Sequence, residues 1–521
     1  MSALPALIVS GDLLPGGGPL NGRRWAGQQL LRLWGQAAAS EAITLMLAQP
    51  AQVEPYAALL REAGHIGPVR GLPFTDPTPL QAVGGLFLAD ASIGRWAQWR
   101  LPSGSAAFSL IGQIHTICTP AAVAQIQELV SEPLAPWDAL ICSSSAGKAV
   151  VEALILDREQ QLATRCGGDQ RLLQASRPQL PVIPLPIPAA ELVAALPSRD
   201  QARAALGIAP EAHVLLWLGR LSMLTKLDPW PVYQLLERLA RQLSQPLVLI
   251  ECGPDDTPHQ AQHLAELRAL CPDVRFCRLG GEQPVSEASK HQALAAADVG
   301  LFLVDNLQET FGLAVAEAMA AGLPIVASNW DGYRDLLSHG VEGFLVPSRF
   351  ATSAAAVAFP LAWQQLIGLQ PYPVVAGALA QLVQLDAEAA QGALLTLLQN
   401  PALARAMGAA ARRRALRCFE STVVMQVYAQ LFDELADRRR LAPQAALRRC
   451  QPSLALDPVR AFAAYPSHRP APTVLQDAST VPAAVRAGRA GLWQLLNQDL
   501  DPALIAALQA DLLTKHRPPH E

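Results

Sequence analysis

The sequence predicts an α/β protein made of two parallel-sheet domains that face each other across a cleft. Three observations predict it. At 521 residues the chain is too long for one ordinary core. Two successive runs of short apolar segments alternate with amphipathic ones, the pattern of strands joined by crossover helices. Between the runs stand Pro178, Pro181, Pro184, Pro186 and Pro188, a density that neither a helix nor a central strand tolerates, so this stretch reads as a linker.

In the first run, residues 4–10, 43–47, Gly85–Leu88, 109–115 and 139–142 read as strands. In the second, strands are expected at 214–218, Leu247–Cys252, Val274–Leu279, 299–304, 324–328 and Gly343–Val346, with helices such as 232–242 and 311–321 between them. Residues 386–440 read as helical, with a start signal at Asn400-Pro401 and basic residues at the end, Arg438 to Arg440. Beyond them, 441–479 is loop-like and rich in proline, and two further helices are expected near 481–497 and 501–516. The division that follows is 1–190, 191–400 with an insert at 350–385, closing helices at 401–440, and a linker and helical tail at 441–521.

Charged residues are 16% of the chain and hydrophobic residues 51%, a balance that fits buried cores and argues against general disorder. A net charge of −4 offers no general attraction to nucleic-acid phosphates, so a nucleic acid polymer is not an expected partner. The eight cysteines form no C-x-x-C pair and read as reduced thiols. The N-terminus has no basic region, so residues 4–10 read as a first strand and not as a signal peptide. Residues 350–385 carry no charge, but Pro360, Pro371 and Pro373 make them a poor membrane span. A cytoplasmic protein is expected, with peripheral contact at the inner face of the membrane left open.

Chemistry concentrates in residues 297–347. From Thr310 to Trp330, Glu317 is the only charged side chain, set in an apolar helix that should be buried. An unpaired buried carboxylate is costly. Glu317 therefore needs a donor such as ribose hydroxyls, unless it lies on a solvated stripe or meets a distant Arg. Glu309 stands just before this helix. The N–H groups of Phe311, Gly312 and Leu313 would be the helix's open donors, with Gly312 permitting close approach, which suits a diphosphate. Glu309 would then face sugar hydroxyls, or be an ordinary helix-start carboxylate.

Glu309-Thr-Phe-Gly-Leu-Ala-Val-Ala-Glu317 followed by Ala-Met-Ala-Ala-Gly-Leu-Pro-Ile-Val-Ala-Ser328 resembles the signature of the retaining GT-B glycosyltransferases of family 4 (glycosyltransferase group 1). The resemblance extends to Leu218-Gly-Arg220-Leu with Lys226, Glu251-Cys-Gly253, Ala296-Ala-Asp298, Asp331-Gly-Tyr-Arg-Asp335 and Gly343-Phe-Leu-Val-Pro347. It implies a GT-B fold, two Rossmann-like domains facing a central cleft, here with an extra C-terminal helical tail. It also implies metal-independent transfer from a nucleotide-sugar donor to a glycan, lipid-linked or small-molecule acceptor, with no cofactor and no metal site. The roles it implies are these. Arg220 and Lys226 hold the donor diphosphate, supported by Thr310, Phe311, Gly312, Leu313, Gly219 and Gly253. Glu309 contacts the transferred sugar and Glu317 the ribose. His115 lines the sugar pocket, although a lone histidine at a strand end is otherwise more often structural. Where many family members carry Pro-Ser shortly before the first Glu, this chain has Asp305-Asn306.

Several features stand apart from the pattern. The Gly-rich stretch 16–24 fits neither the dinucleotide fingerprint nor a P-loop; Gly17 and Gly18 are read as a loop bordering the cleft, with a tight turn as the alternative. Ser145-Ala-Gly147-Lys148 reads as a turn into a helix. The uncharged insert 350–385 either folds back on its own domain, makes a homodimer contact, or docks a lipid-linked acceptor or the membrane surface; the reading taken is that it serves acceptor access or self-association and not donor binding. Rival functions on a similar scaffold are a nucleotide-sugar epimerase and a non-catalytic binding protein.

Overall fold

The structure is a computed structural model and describes residues 4–10, 13–14, 22–282, 284–451 and 453–465. The first sheet is formed by β1 (Ala6–Ile8), β2 (Ile43–Met46), β3 (Val69–Leu72), β4 (Gly85–Leu88), β5 (Ser109–Gln113) and β6 (Ala139–Ile141), in the order β3-β2-β1-β4-β5-β6. The second is formed by β7 (His213–Leu218), β8 (Leu247–Cys252), β9 (Val274–Leu279), β10 (Val299–Phe302), β11 (Ile325–Ser328) and β12 (Gly343–Val346). Its order, β12-β11-β10-β7-β8-β9, repeats that of the first sheet when read from the other edge. All pairings in both sheets are parallel. These are two Rossmann-like domains. Helices cover the faces, so central strands such as Gly85–Leu88 and Leu247–Cys252 are buried along their whole length. β3 was not foreseen. It is an edge strand with Arg70 exposed and no apolar run to mark it.

The proline-rich stretch does more than join the lobes. It runs beside β6, where Leu140 N–H donates to Gln179 O, Cys142 N–H to Pro181 O, and Ile183 N–H to Cys142 O, each at 2.9 Å. Prolines lack an N–H donor, so along this edge Pro181 only accepts, and the donor from the linker is the non-proline Ile183. At its end Ile187 N–H donates to Phe419 O at 2.8 Å and Ser421 N–H to Ile187 O at 3.0 Å, so the outgoing and returning crossings lie side by side. The helical region resolves into Ala387–Gln399, Pro401–Cys418 and Ser421–Arg440. The last returns to the first lobe, burying Val424, Tyr428, Phe432 and Leu435 with Leu7, Ile43, Phe87 and Ile111.

The insert is a helical hairpin. β13 (Ser348–Phe350) and β14 (Val383–Leu385) pair antiparallel at its base, and helices Ala354–Leu366 and Tyr372–Ala380 form its arms. The second arm folds back on the domain, burying Val375, Ala376 and Ala380, while the first leaves Phe359, Trp363 and Leu366 exposed. The Gly-rich loop, with Gly17 and Gly18, and both expected tail helices lie outside the described residues. Among the described residues no helix is long and apolar enough to cross a membrane.

Candidate active site

In a doubly wound sheet, ligands bind outside the carboxyl ends of the strands where the strand order reverses. In the second sheet that point lies between β7 and β10. The loop after β7 carries Gly219, Arg220 and Lys226, and the loop after β10 carries Asp305 to Gly312. In the first sheet it lies between β1 and β4. The two ends face one cleft of about 680 Å³, lined by His115, Gly219, Arg220, Lys226, Gly253, Glu309, Thr310, Leu313 and Glu317. Phe311 and Gly312 are not among its lining residues; Phe311 is buried with its ring edge-on to Phe419.

Glu309 is held from both sides. Lys226 Nζ stands 3.1 Å from Oε2, while Oε1 accepts the N–H of Gly312 at 3.1 Å, of Thr310 at 3.3 Å and of Phe311 at 3.4 Å. Burial works against the charged carboxylate, but the Lys226 charge and these donors outweigh it and hold Glu309 below its ordinary value. The N–H groups of Phe311 and Gly312, expected to be open toward a diphosphate, are thus turned to Glu309. Leu313 and Ala314 supply the first N–H groups of helix Leu313–Ala321 that border the cleft. Gly312 is needed for a different reason from the close ligand approach expected. Its φ is +106°, and a Cβ there would stand 2.4 Å from the Tyr333 ring.

Glu317 finds its partner inside the protein. Lys290 Nζ lies 2.8 Å from Glu317 Oε1 and 2.9 Å from Glu287 Oε2. Burial opposes the Lys290 charge, but the two carboxylates prevail and raise its affinity for the proton. Lys290 also lines the cleft. The only sequence signal for it was a lysine three residues after Glu287 at the start of helix Glu287–Ala296, a common surface pattern.

Arg220 is aimed by Asp256, whose Oδ1 accepts from Nη1 at 2.8 Å, and by Thr225 Oγ1 at 2.9 Å. Ser222 Oγ donates to the second Asp256 oxygen at 2.8 Å. The neighbouring Asp255 binds Arg278 instead. Gly253 is dictated by backbone packing, since a Cβ there would meet Gly219 O at 1.9 Å.

Asp305-Asn306, the departure from the family pattern, ties the two loops together. Asn306 Nδ2 donates to Leu224 O at 2.9 Å and its Oδ1 accepts Gln308 N–H at 2.8 Å. Asp305 Oδ2 accepts Asp228 N–H at 3.1 Å, and burial pushes this carboxyl up to about 7. The lobes meet at Thr310, whose Oγ1 donates to His115 O at 2.6 Å and whose carbonyl accepts from Ser143 Oγ at 3.2 Å.

The fold is GT-B. Two solved structures share it: a glycosyltransferase from Rickettsia africae ESF-5, with a TM-score of 0.50, 11% identity and coverage of 82% of this chain and 97% of that one, and the N-terminal domain of Candida albicans trehalose-6-phosphate phosphatase, with a TM-score of 0.52, 9% identity and coverage of 83% and 100%. Residues 212–361 match the sequence model of the glycosyl transferases group 1, from the start of the second sheet into the first arm of the hairpin. Among curated proteins, the D-inositol 3-phosphate glycosyltransferase of Geodermatophilus obscurus is 33% identical over 224 residues, 40% of this chain and 45% of that protein. The D-inositol 3-phosphate glycosyltransferase of Jonesia denitrificans is 28% identical over 264 residues, 47% of this chain and 56% of that protein. The chain thus spans about half the length of these relatives.

Proposed function

We propose that this chain is a retaining glycosyltransferase that moves a sugar from a nucleoside-diphosphate sugar to a hydroxyl-bearing acceptor: a glycan, a lipid-linked molecule or a small molecule. One observation carries the reading. Two carboxylates, each paired to its own lysine, and an arginine aimed by Asp256 converge in one cleft at the switch point of the second sheet.

The roles follow from hydrogen-bonding capacity. Arg220 and Lys226 neutralise the charge that grows on the diphosphate as the glycosidic bond breaks. A lysine has three donors, so Lys226 keeps donors for phosphate oxygens while one holds Glu309. The N–H groups of Leu313 and Ala314 add the field of a helix N-terminus. Glu309, ionised, is an acceptor only. Its Oε2 engages Lys226 and retains room for a sugar hydroxyl, so it orients the sugar and does not donate a proton. Glu317, paired to Lys290, accepts from the ribose. His115 borders the sugar from the first lobe. With protein cations on the diphosphate, the transfer is assigned as metal-independent.

The test is product analysis. The purified chain is incubated with a panel of sugar nucleotides, with and without an acceptor mixture, and followed by mass spectrometry and anomeric proton NMR. Transfer to an acceptor with the donor's anomeric configuration is expected. Epimerised donor without transfer, or no consumption of any donor, would refute the reading.

A further inference from the structure

The hairpin at 350–385 reaches the cleft through one residue. Tyr372 opens the second arm, directly after the N-cap Pro371, and lines the cleft together with His115, Arg220 and Gln308. Its hydroxyl donates to Gln308 Oε1 at 2.9 Å and lies 3.0 Å from Cys118 Sγ, which belongs to the first lobe in the loop after β5. One phenol therefore touches both sides of the cleft, next to the residue that precedes Glu309.

The arm behind it is firmly seated. Gly377 packs on the loop that carries Lys226, so closely that a Cβ would stand 2.8 Å from Leu224 Cδ2 and 3.1 Å from Leu224 Cα. Leu224 is the residue whose carbonyl Asn306 holds. The hairpin arm, the Arg220–Lys226 loop and the Glu309 loop thus form one packed unit, and Tyr372 is presented from it at a fixed place. The segment matching the group 1 model stops at residue 361, before this arm begins.

We propose that Tyr372 is a positioning residue for the acceptor and that the hairpin makes it specificity-determining. The inference rests on the glycosyltransferase reading. The physical reason lies in its two partners. Gln308 Oε1 is a strong acceptor, and it fixes the direction of the phenolic proton. The lone pairs then face the first lobe, where the present partner is a thiol, a weak hydrogen-bonding group. Exchanging the thiol for the hydroxyl of an entering acceptor replaces a weak contact by an O–H···O bond. The ligand this contact suits is therefore an entering hydroxyl, that of the acceptor, held beside Gln308 and Glu309.

The experiment compares the full chain with Tyr372→Phe, which removes the hydroxyl and keeps the ring, using the sugar nucleotide and the acceptor that the wild-type chain turns over. The acceptor KM is expected to rise roughly threefold to tenfold, the range of one hydrogen bond, while the donor KM stays within about twofold and the melting temperature is unchanged. An acceptor KM equal to wild type, or equal rises in both KM values, overturns the inference and leaves the function intact. A wild-type chain that transfers no sugar overturns both. A Tyr372→His variant, which restores a hydrogen-bonding ring, is expected to recover part of the acceptor affinity; rescue no better than Phe counts against the proposal.

Discussion

Lys226 Nζ stands 3.1 Å from Glu309 Oε2, and the opposite oxygen of that carboxylate takes the Gly312 N–H at 3.1 Å. The pair therefore locks the loop after β7 to the loop after β10, across the switch point. Glu309→Gln keeps the shape but removes the charge that anchors Lys226. Turnover should fall strongly with little change in the donor KM, as for an interaction that matters most in the transition state. Lys226→Ala should lose roughly a hundredfold or more in kcat. Near-normal steady-state kinetics in either folded variant would remove that residue from the site.

How much of this was legible in the sequence depends on what each feature needs. Strands such as Leu247–Cys252 and Gly343–Val346 were readable because they are short runs with few or no charges bounded by turns, and their bounds agree with the structure. β3 was not, since an edge strand with Arg70 needs no apolar pattern. Glu317 stood out as a lone charge in an apolar helix, but its partner Lys290 comes from a separate helix, and no local pattern joins them. Asp256, Asn306 and Tyr372 act through contacts far along the chain, from Asp256 to Arg220 and from Tyr372 to Cys118. Such pairs exist only after folding.

Lys290 and Glu317 sit in the cleft wall with little of either side chain exposed, so removing one partner leaves the other poorly solvated. Lys290→Ala should cost roughly 3–5 kcal/mol of stability, and the double change Lys290→Met with Glu317→Gln should recover much of it. Urea titrations of the three chains measure this. A Lys290→Ala midpoint equal to wild type would show that the pair is solvated. Glu317→Ala is also expected to raise the donor KM more than it lowers kcat.

Asp305 gives a pH signature. Burial lifts its carboxyl to about 7 in the folded chain, against about 3.9 unfolded. The folded state binds this proton more tightly, so the associated stability is full below about pH 4 and is lost as pH rises through about 7. Asp305→Asn should flatten that part of the melting-temperature profile between about pH 4 and 8. An unchanged slope would contradict the assignment.

With Arg220 and Lys226 as the diphosphate's counter-charges, transfer should survive exhaustive dialysis against EDTA. Loss of activity that returns only with magnesium or manganese would contradict this mechanism.

In the proposed mechanism the cleft binds a nucleoside diphosphate through Arg220 and Lys226. Calorimetric titration with UDP, GDP and ADP tests it most directly, on the wild-type chain and on the Arg220→Ala, Lys226→Ala double variant. One-site binding of at least one nucleotide to the wild type is expected, with a loss of roughly a hundredfold or more in the double variant, since each charge-assisted hydrogen bond contributes about 1.5–3 kcal/mol. Binding of none of the three to the wild type, or equal affinity in the two proteins, would contradict it.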